Sequence, residues 1–311
     1  MKAPLISVVA PVYGVEAYIE GFAASLFGQT YDKIQFIIVN DGTKDASIEK
    51  LQALLDRDFA HLKERVLIIN KENEGLPKAR ETGLAFVEGD YVLHVDSDDW
   101  LELDAIEQIA REAERTDADL IYFDFYKEYS HRSKKDVERD YTAEDKLKFI
   151  RNLYNYKAYG YVWNKCVKTK VYKENEIYFP LYAMHEDIYL MSQLIFYSKS
   201  ITHLKSALYH YRRNISTSIT RQNKKKRRQA SVLNMLDLYE RFKKKGVEGS
   251  PVEPMLGDIF YAAAWNSILF DLGLYEKFPY LASEVRALGV SPKYRLLLVL
   301  QIFVQLKGLL R

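Results

Sequence analysis

The sequence predicts an α/β fold, a mainly parallel sheet flanked by helices, with a helical C-terminal extension. Three observations lead there. Short, β-branched apolar runs alternate with segments of helical period through residues 5–100. The runs are apolar almost throughout, as in strands buried on both faces beneath helices. Polar turn residues gather at their carboxyl ends, the edge where open α/β sheets bind ligands.

The elements follow in order. Ile6 to Ala10 is the first strand, ended by Pro11, which the interior of a central strand would not tolerate. Val15, Ile19, Phe22 and Leu26 are spaced for one face of a helix. Ile34 to Asn40 is the second strand, closed by Asp41-Gly42-Thr43, and "SIEKLQALLDRDF" returns to helical period. "RVLIIN", "LPKARETGLAFV" and "YVLHV" continue the series as strand, helix and strand. After Trp100 come a helix and then a strand rich in aromatics, "LIYFDFYKEY". "SHRSKKDVERDYTAED" has no apolar period and reads as a loop. From Gln229 onward the pattern is helical.

Composition narrows the class. Hydrophobic residues make up 48% of the 311, enough for a sizeable core, and the near-balanced charge of +2 does not suggest a nucleic-acid binder. The single cysteine, Cys166, excludes an internal disulfide and fits a reducing compartment. "MKAPLISVVAPVYG" has too short an apolar run for a signal peptide, so the expected location is the cytoplasm.

The chemical signal lies in "YVLHVDSDDW". A buried strand delivers Asp96, Asp98 and Asp99 almost on top of one another. One helix cap needs one side chain, so turn chemistry alone does not require three acids. Like charges that close repel unless something balances them. No GxGxxG follows the first strand and no GxxxxGK[ST] occurs, so neither a dinucleotide nor a P-loop site is expected. Carboxylates do not hold phosphates directly. A hard divalent cation, Mg²⁺ or Mn²⁺, does so between them.

In these residues the chain resembles family 2 glycosyltransferases of the Rossmann-like GT-A fold. The resemblance rests on "ISVVAPVYGVEAYIEGFAASLFGQTYDKIQFIIVNDGTKDAS", "NEGLPKARETGL" and "GDYVLHVDSDDWLE", and resumes through Tyr161 to Thr220. It implies an inverting transfer of a sugar, a hexose or N-acetylhexosamine, from a UDP-sugar donor to an acceptor hydroxyl. Carried over by position, Pro11 and Tyr13 would lie against the nucleobase and Asp41 would accept from the uracil N–H. Lys78 and Arg80 would face the nucleotide. Asp96-Ser97-Asp98 would be the DxD motif, contacting ribose and metal, with Asp98 the stronger metal ligand. Asp99 is given no direct role. Asp187 in "HED" would be the catalytic base. An acid just before the helical spacing of Ile188, Met191, Leu194 and Ile195 is also a favourable helix N-terminal charge, one that tends to lower its pKa.

Further contacts are open to more than one reading. His185 suits a metal or phosphate contact and equally a structural one. Arg212 and Arg213 suit the diphosphate or the end of a strand. Trp163 suits the floor of an acceptor site or a buried core position. A sugar nucleotidyltransferase would need a basic, glycine-rich first loop, which "APVYGVEAY" does not supply. A non-catalytic nucleotide- or glycan-binding module would have no use for a base.

The predicted organisation is a GT-A domain over residues 1–223 and a helical extension over 224–311. "RQNKKKRRQAS" opens the extension with a basic run suited to anionic lipid or an anionic acceptor. "SPKYRLLLVLQIFVQLKGLLR" closes it with a basic-flanked aliphatic helix whose apolar run is shorter than a membrane span. It suits the plane of a membrane surface or the interface of a homodimer. The expected acceptor is a growing cell-surface glycan, free or lipid-linked, met at the inner face of the membrane.

Overall fold

The computed structural model describes residues 3–154, 156–181, 185–213 and 224–246, with backbone alone for 224–229. The expected amphipathic helix of residues 291–311 lies outside the described residues. Among the described residues no helix is long and apolar enough to cross a membrane.

Strand β1 (Ile6–Val12) runs parallel to β2 (Ile34–Asn40) on one side and to β4 (Tyr91–His94) on the other, and β3 (Val66–Asn70) lies parallel outside β2. Beyond β4 the sheet becomes mixed. Strand β8 (Lys165–Lys168) runs antiparallel between β4 and β6 (Leu120–Tyr129), β9 (Ile201–Arg212) lies parallel to β6, and the two-residue β5 (Trp100–Leu101) runs antiparallel on β9. The order β3-β2-β1-β4-β8-β6-β9-β5 places a topological switch between β1 and β4, since β2 and β3 extend to one side and β4 starts the other.

Helices α1 (Ile19–Phe27), α2 (Ser47–Asp58) and α4 (Ala105–Thr116) cover one face. Helices α3 (Leu76–Leu84), α5 (Lys146–Tyr154), α6 (Thr169–Glu174), α7 (Glu186–Tyr197) and α8 (Lys224–Lys244) cover the other. Val8, Ala10, Phe36, Ile38 and Leu93 face the first group, whereas Val9, Ile37, Val39 and Val92 face the second. Successive side chains on a strand point to opposite faces. β1, β2 and β4 are buried on both faces, which is why they read as near-continuous apolar runs. A Cβ on Gly83 of α3 would come within 2.4 Å of Val9 Cγ1, so only glycine lets α3 lie this close to the sheet.

Two elements differ from the sequence expectation. Pro11 lies inside β1, in register with Val39. Val9 and Pro11 point toward β4, but that ladder stops at Val9 and His94, so the missing N–H of Pro11 breaks no bond. Its carbonyl accepts from Ser97 Oγ at 2.7 Å. Within the expected polar loop, β7 (Arg132–Asp136) forms an antiparallel hairpin with β6. Most of its side chains are exposed, so it shows no apolar alternation, and such charged strands suit a sheet edge. Helix α8, at the start of the expected helical extension of residues 224–311, shares a buried core with α5 and α7. Val232, Leu236 and Phe242 are each at most 2% exposed. Burial of such side chains stabilises by about 1.5–3 kcal/mol apiece, which fastens α8 to α7, where Phe242 meets Phe196 edge to face.

Candidate active site

The carboxyl ends of β1, β2 and β4 form one edge, and its loops are tied to one another. Gly14 N–H donates to Thr43 Oγ1 at 2.9 Å, Val15 N–H to Ser47 Oγ at 3.2 Å and Glu16 N–H to Asp45 Oδ2 at 3.0 Å. The loop after β1 is thereby fixed to the loop after β2. Pro11 is buried at this edge, while Tyr13 is exposed there. Asp41 is buried, and its carboxylate accepts from Lys71 Nζ at 2.9 Å, Glu74 N–H at 3.1 Å and Gly75 N–H at 2.9 Å. Asp41 thus holds the loop that leads into α3. Lys71 was not foreseen, although its place directly after β3 marks it as an edge residue.

The acidic loop after β4 is braced by β9. Tyr209 donates its hydroxyl proton to Asp99 Oδ2 at 2.8 Å and accepts from Asp96 N–H at 3.1 Å. Arg212 donates its backbone N–H to Asp99 Oδ1 at 2.7 Å and its Nε to the Asp98 carbonyl at 3.0 Å. The Arg212 guanidinium stacks 4.6 Å over Trp100 and 4.9 Å over Tyr18. Asp99 therefore has a definite structural place, as the junction between the acidic loop and β9. Burial, with Asp98 and Asp96 beside it, holds its carboxyl well above the usual carboxylate range. Burial and the neighbouring Asp96 also push Asp98 up to about 6.

Across the edge stands the first turn of α7. Arg80, 1% exposed, donates from Nη1 to Asp187 Oδ1 at 2.7 Å and from Nη2 to Asp96 Oδ1 at 2.8 Å, with Glu186 at 3.8 Å from Nη1. One buried guanidinium thus joins α3, the acidic loop and α7. Three carboxyls share it, so they cannot all ionise without cost. Burial, and then Asp187, push Glu186 up to about 8. Burial also raises Asp187, against the pull of Arg80 and Lys165. The lowering expected from a helix N-terminus is outweighed, since desolvation disfavours the charged form.

The remaining candidates divide. Lys78 pairs with Glu81 at 2.7 Å on the half-exposed face of α3. His185 immediately precedes α7 and is hydrogen-bonded to Ser231 Oγ at 2.6 Å. Arg213 lies over the Tyr211 ring at 5.4 Å. Trp163 is 1% exposed and stacked on Tyr209 at 4.2 Å and on Tyr161 at 4.6 Å. It backs the tyrosine that holds the acidic loop, and does not offer an open ring face as a floor. Of the two readings of Trp163, the buried core position is the one observed.

Asp96 and Asp98 fit a divalent cation. Asp96 keeps Arg80 on Oδ1, while burial and the neighbouring Asp96 raise Asp98, and Mg²⁺ commonly takes one or two carboxylates together with substrate phosphate oxygens. Among the described residues no group of three or more His, Cys, Asp or Glu could hold a metal ion unaided. Phosphate oxygens of the ligand would complete the set.

Residues 7–173 match the family model of glycosyl transferase family 2, just over half of the chain. The chain is 32% identical over 231 residues to a putative glycosyltransferase, EpsH, of Bacillus subtilis, covering 72% of this chain. It spans 65%, just under two thirds, of that relative's length. A crystal structure of S. aureus TarS 1-349 in complex with UDP-GlcNAc superposes with a TM-score of 0.65 at 18% identity, over 94% of this chain and 78% of that one. A Pyrobaculum calidifontis mannosyltransferase in complex with GDP-Man and Mn²⁺ superposes with a TM-score of 0.56 at 15% identity, over 97% of this chain and 81% of that one. At such identities these likenesses speak for the fold. The matched segment contains Asp41, Arg80 and the acidic loop and stops short of Asp187. The chain belongs to glycosyl transferase family 2 and has the GT-A fold.

Proposed function

We propose that the protein transfers a hexose or N-acetylhexosamine from a UDP-sugar to an acceptor hydroxyl of a cell-surface glycan, with inversion and with Asp187 as the base. The observation that carries this reading is the Arg80 bridge. It sets the Asp187 carboxylate opposite the acidic loop, at the switch point where such sheets bind nucleotides.

Inversion requires attack on the anomeric carbon from the face opposite the leaving diphosphate. A carboxylate at that face takes the hydroxyl proton as the bond forms. Arg80 engages Asp187 through Oδ1, which leaves Oδ2 for the acceptor. Burial keeps the carboxyl pKa raised, which makes it a better proton acceptor than an exposed aspartate. Asp96 and Asp98 would hold Mn²⁺ or Mg²⁺, which when bound supplies positive charge for the departing diphosphate. Pro11, Tyr13 and Asp41 would frame the uracil. The UDP preference draws on the UDP-GlcNAc complex of the TarS neighbour, and the metal on the Mn²⁺ complex of the mannosyltransferase.

A donor screen reading nucleotide release with Mn²⁺ tests this. At least one UDP-sugar should turn over, and GDP-mannose should not. Absence of UDP binding by calorimetry with Mn²⁺, or turnover of GDP-mannose alone, overturns the donor assignment.

A further inference from the structure

Helix α7 starts from a strained residue. His185 has φ 55 and ψ 25, in the left-handed region where a side chain's Cβ crowds the backbone. Such a residue persists where its surroundings hold it. Part of the hold comes from α8, through the 2.6 Å hydrogen bond between His185 Nδ1 and Ser231 Oγ. One turn further along α7, Tyr189 donates its hydroxyl to Asp237 Oδ2 at 2.5 Å, and the same oxygen accepts from Arg241 Nε at 2.7 Å. Ser231 and Tyr189 are themselves buried, at 4% and 2% exposure. His185 and Tyr189 are four residues apart and share one side of the helix. Glu186 and Asp187 lie on the turn between these two ties. None of α7 or α8 falls within the segment matched to the family model, which ends at residue 173.

We propose that α8 positions the base: Ser231, through His185, and Asp237, through Tyr189, set where the first turn of α7 places Asp187. This rests on the reading of Asp187 as base. Ser231, Asp237 and Tyr189 are positioning residues that act through the orientation of α7. Val232, Met235 and Leu238 share a buried core with Tyr189, and Phe242 meets Phe196 edge to face at 5.4 Å, which gives α8 the rigidity for that task.

The test uses the full chain with Ser231→Ala and Tyr189→Phe. Each should lower kcat for UDP release about tenfold, since small misplacements of a reacting group carry large rate penalties. The affinity for UDP with Mn²⁺, by calorimetry, should stay within about twofold, because Arg80 keeps its bond to Asp96 and the bonds that fix Asp41 and Asp99 involve no residue of α8. Amide hydrogen exchange over residues 186–190 should quicken in both variants. In a His185→Gly background, where the left-handed backbone is unstrained, Ser231→Ala should have a smaller effect than in the parent. Unchanged exchange over 186–190 in Ser231→Ala overturns the proposal, as does an equal loss of UDP affinity and turnover. If no donor turns over at all, the Asp187 reading fails, while the exchange measurement still decides whether α8 holds α7.

Discussion

Arg80 Nη1 donates to Asp187 Oδ1 at 2.7 Å, across 107 residues of sequence. The same guanidinium takes Asp96 with its other arm. Among the described residues its Nε has no hydrogen-bond partner, and neither do the ring nitrogens of buried His94, whose pKa is lowered to about 3 by burial and by Arg80. The arginine is thus flanked by a neutral imidazole behind and by carboxyls in front. Removing one member of a buried ion pair typically destabilises by about 3–5 kcal/mol, because the other charge is left unpaired. Arg80→Met should therefore lower the unfolding free energy, read from urea titration, by that order. Arg80→Lys keeps the charge but cannot present two parallel N–H groups. It should retain more of the stability and still lose at least about tenfold in turnover. A lysine variant with parental turnover would show that the bridge geometry is unimportant.

Glu186 gives a prediction with a definite pH window. Its carboxyl is raised from 4.5 to about 8 in the folded chain. Below about 4.5 both folded and unfolded chains hold the proton and Glu186 is neutral to stability. As pH rises through the window the unfolded chain releases the proton and the folded chain retains it, so stability falls with pH up to about 8. Glu186→Gln imitates the protonated form and removes this dependence. Its stability relative to the parent should rise between about pH 4.5 and pH 8, by up to about 5 kcal/mol, the equivalent of that shift, and then level off. Denaturant titrations at pH 5 and pH 8 measure it. A variant that loses ground toward pH 8 would mean that Glu186 is ionised and that Arg80 depends on its charge.

Local signals carried most of the first half of the fold. Apolar runs such as Ile34 to Val39 and helical spacing such as Ile19, Phe22 and Leu26 depend on near neighbours, and the structure follows them. The acidic loop was legible because three aspartates exceed what a turn requires. The partners of those acids were not legible. Arg80 reaches Asp96 over 16 residues and Asp187 over 107, and Tyr209 reaches Asp99 over 110. No periodicity encodes such a pairing. An arginine on a short helix reads as a solvated charge until the sheet brings α7 over it. The strand position of Pro11 was hidden for a similar reason, since it is tolerated only because β4 ends beside it.

The aromatic column behind the acidic loop separates packing from ligand contact. Tyr209→Phe removes the hydroxyl that accepts from Asp96 N–H and donates to Asp99. A buried group left without its partner costs about 1–3 kcal/mol, and the loop that carries Asp96 and Asp98 loses its brace. UDP affinity with Mn²⁺ should weaken about tenfold, the equivalent of about 1.4 kcal/mol. Trp163→Phe leaves that hydroxyl in place and removes only stacking area, so it should lower the melting temperature and leave UDP affinity unchanged. If the two variants weaken UDP equally, the column acts as one body and the hydroxyl has no separate role.

Asp187→Asn tests the base with little change of shape. The asparagine carbonyl still accepts from Arg80 Nη1, so the bridge to Asp96 persists. What disappears is the capacity to take a proton. General bases contribute about 10²–10⁴ in rate, so turnover should fall by at least about a hundredfold. UDP affinity with Mn²⁺ should stay within about twofold, because Asp187 lies across the edge from the nucleotide contacts proposed for Pro11, Tyr13 and Asp41. The substitution also removes one of the charges that raise Glu186, which then ionises more readily and stays close to Arg80, at 3.8 Å. Glu186 is thus the group placed to supply any residual activity. The double variant Glu186→Gln/Asp187→Asn should abolish that residue of turnover while UDP still binds. Parental turnover in Asp187→Asn would remove Asp187 as the base.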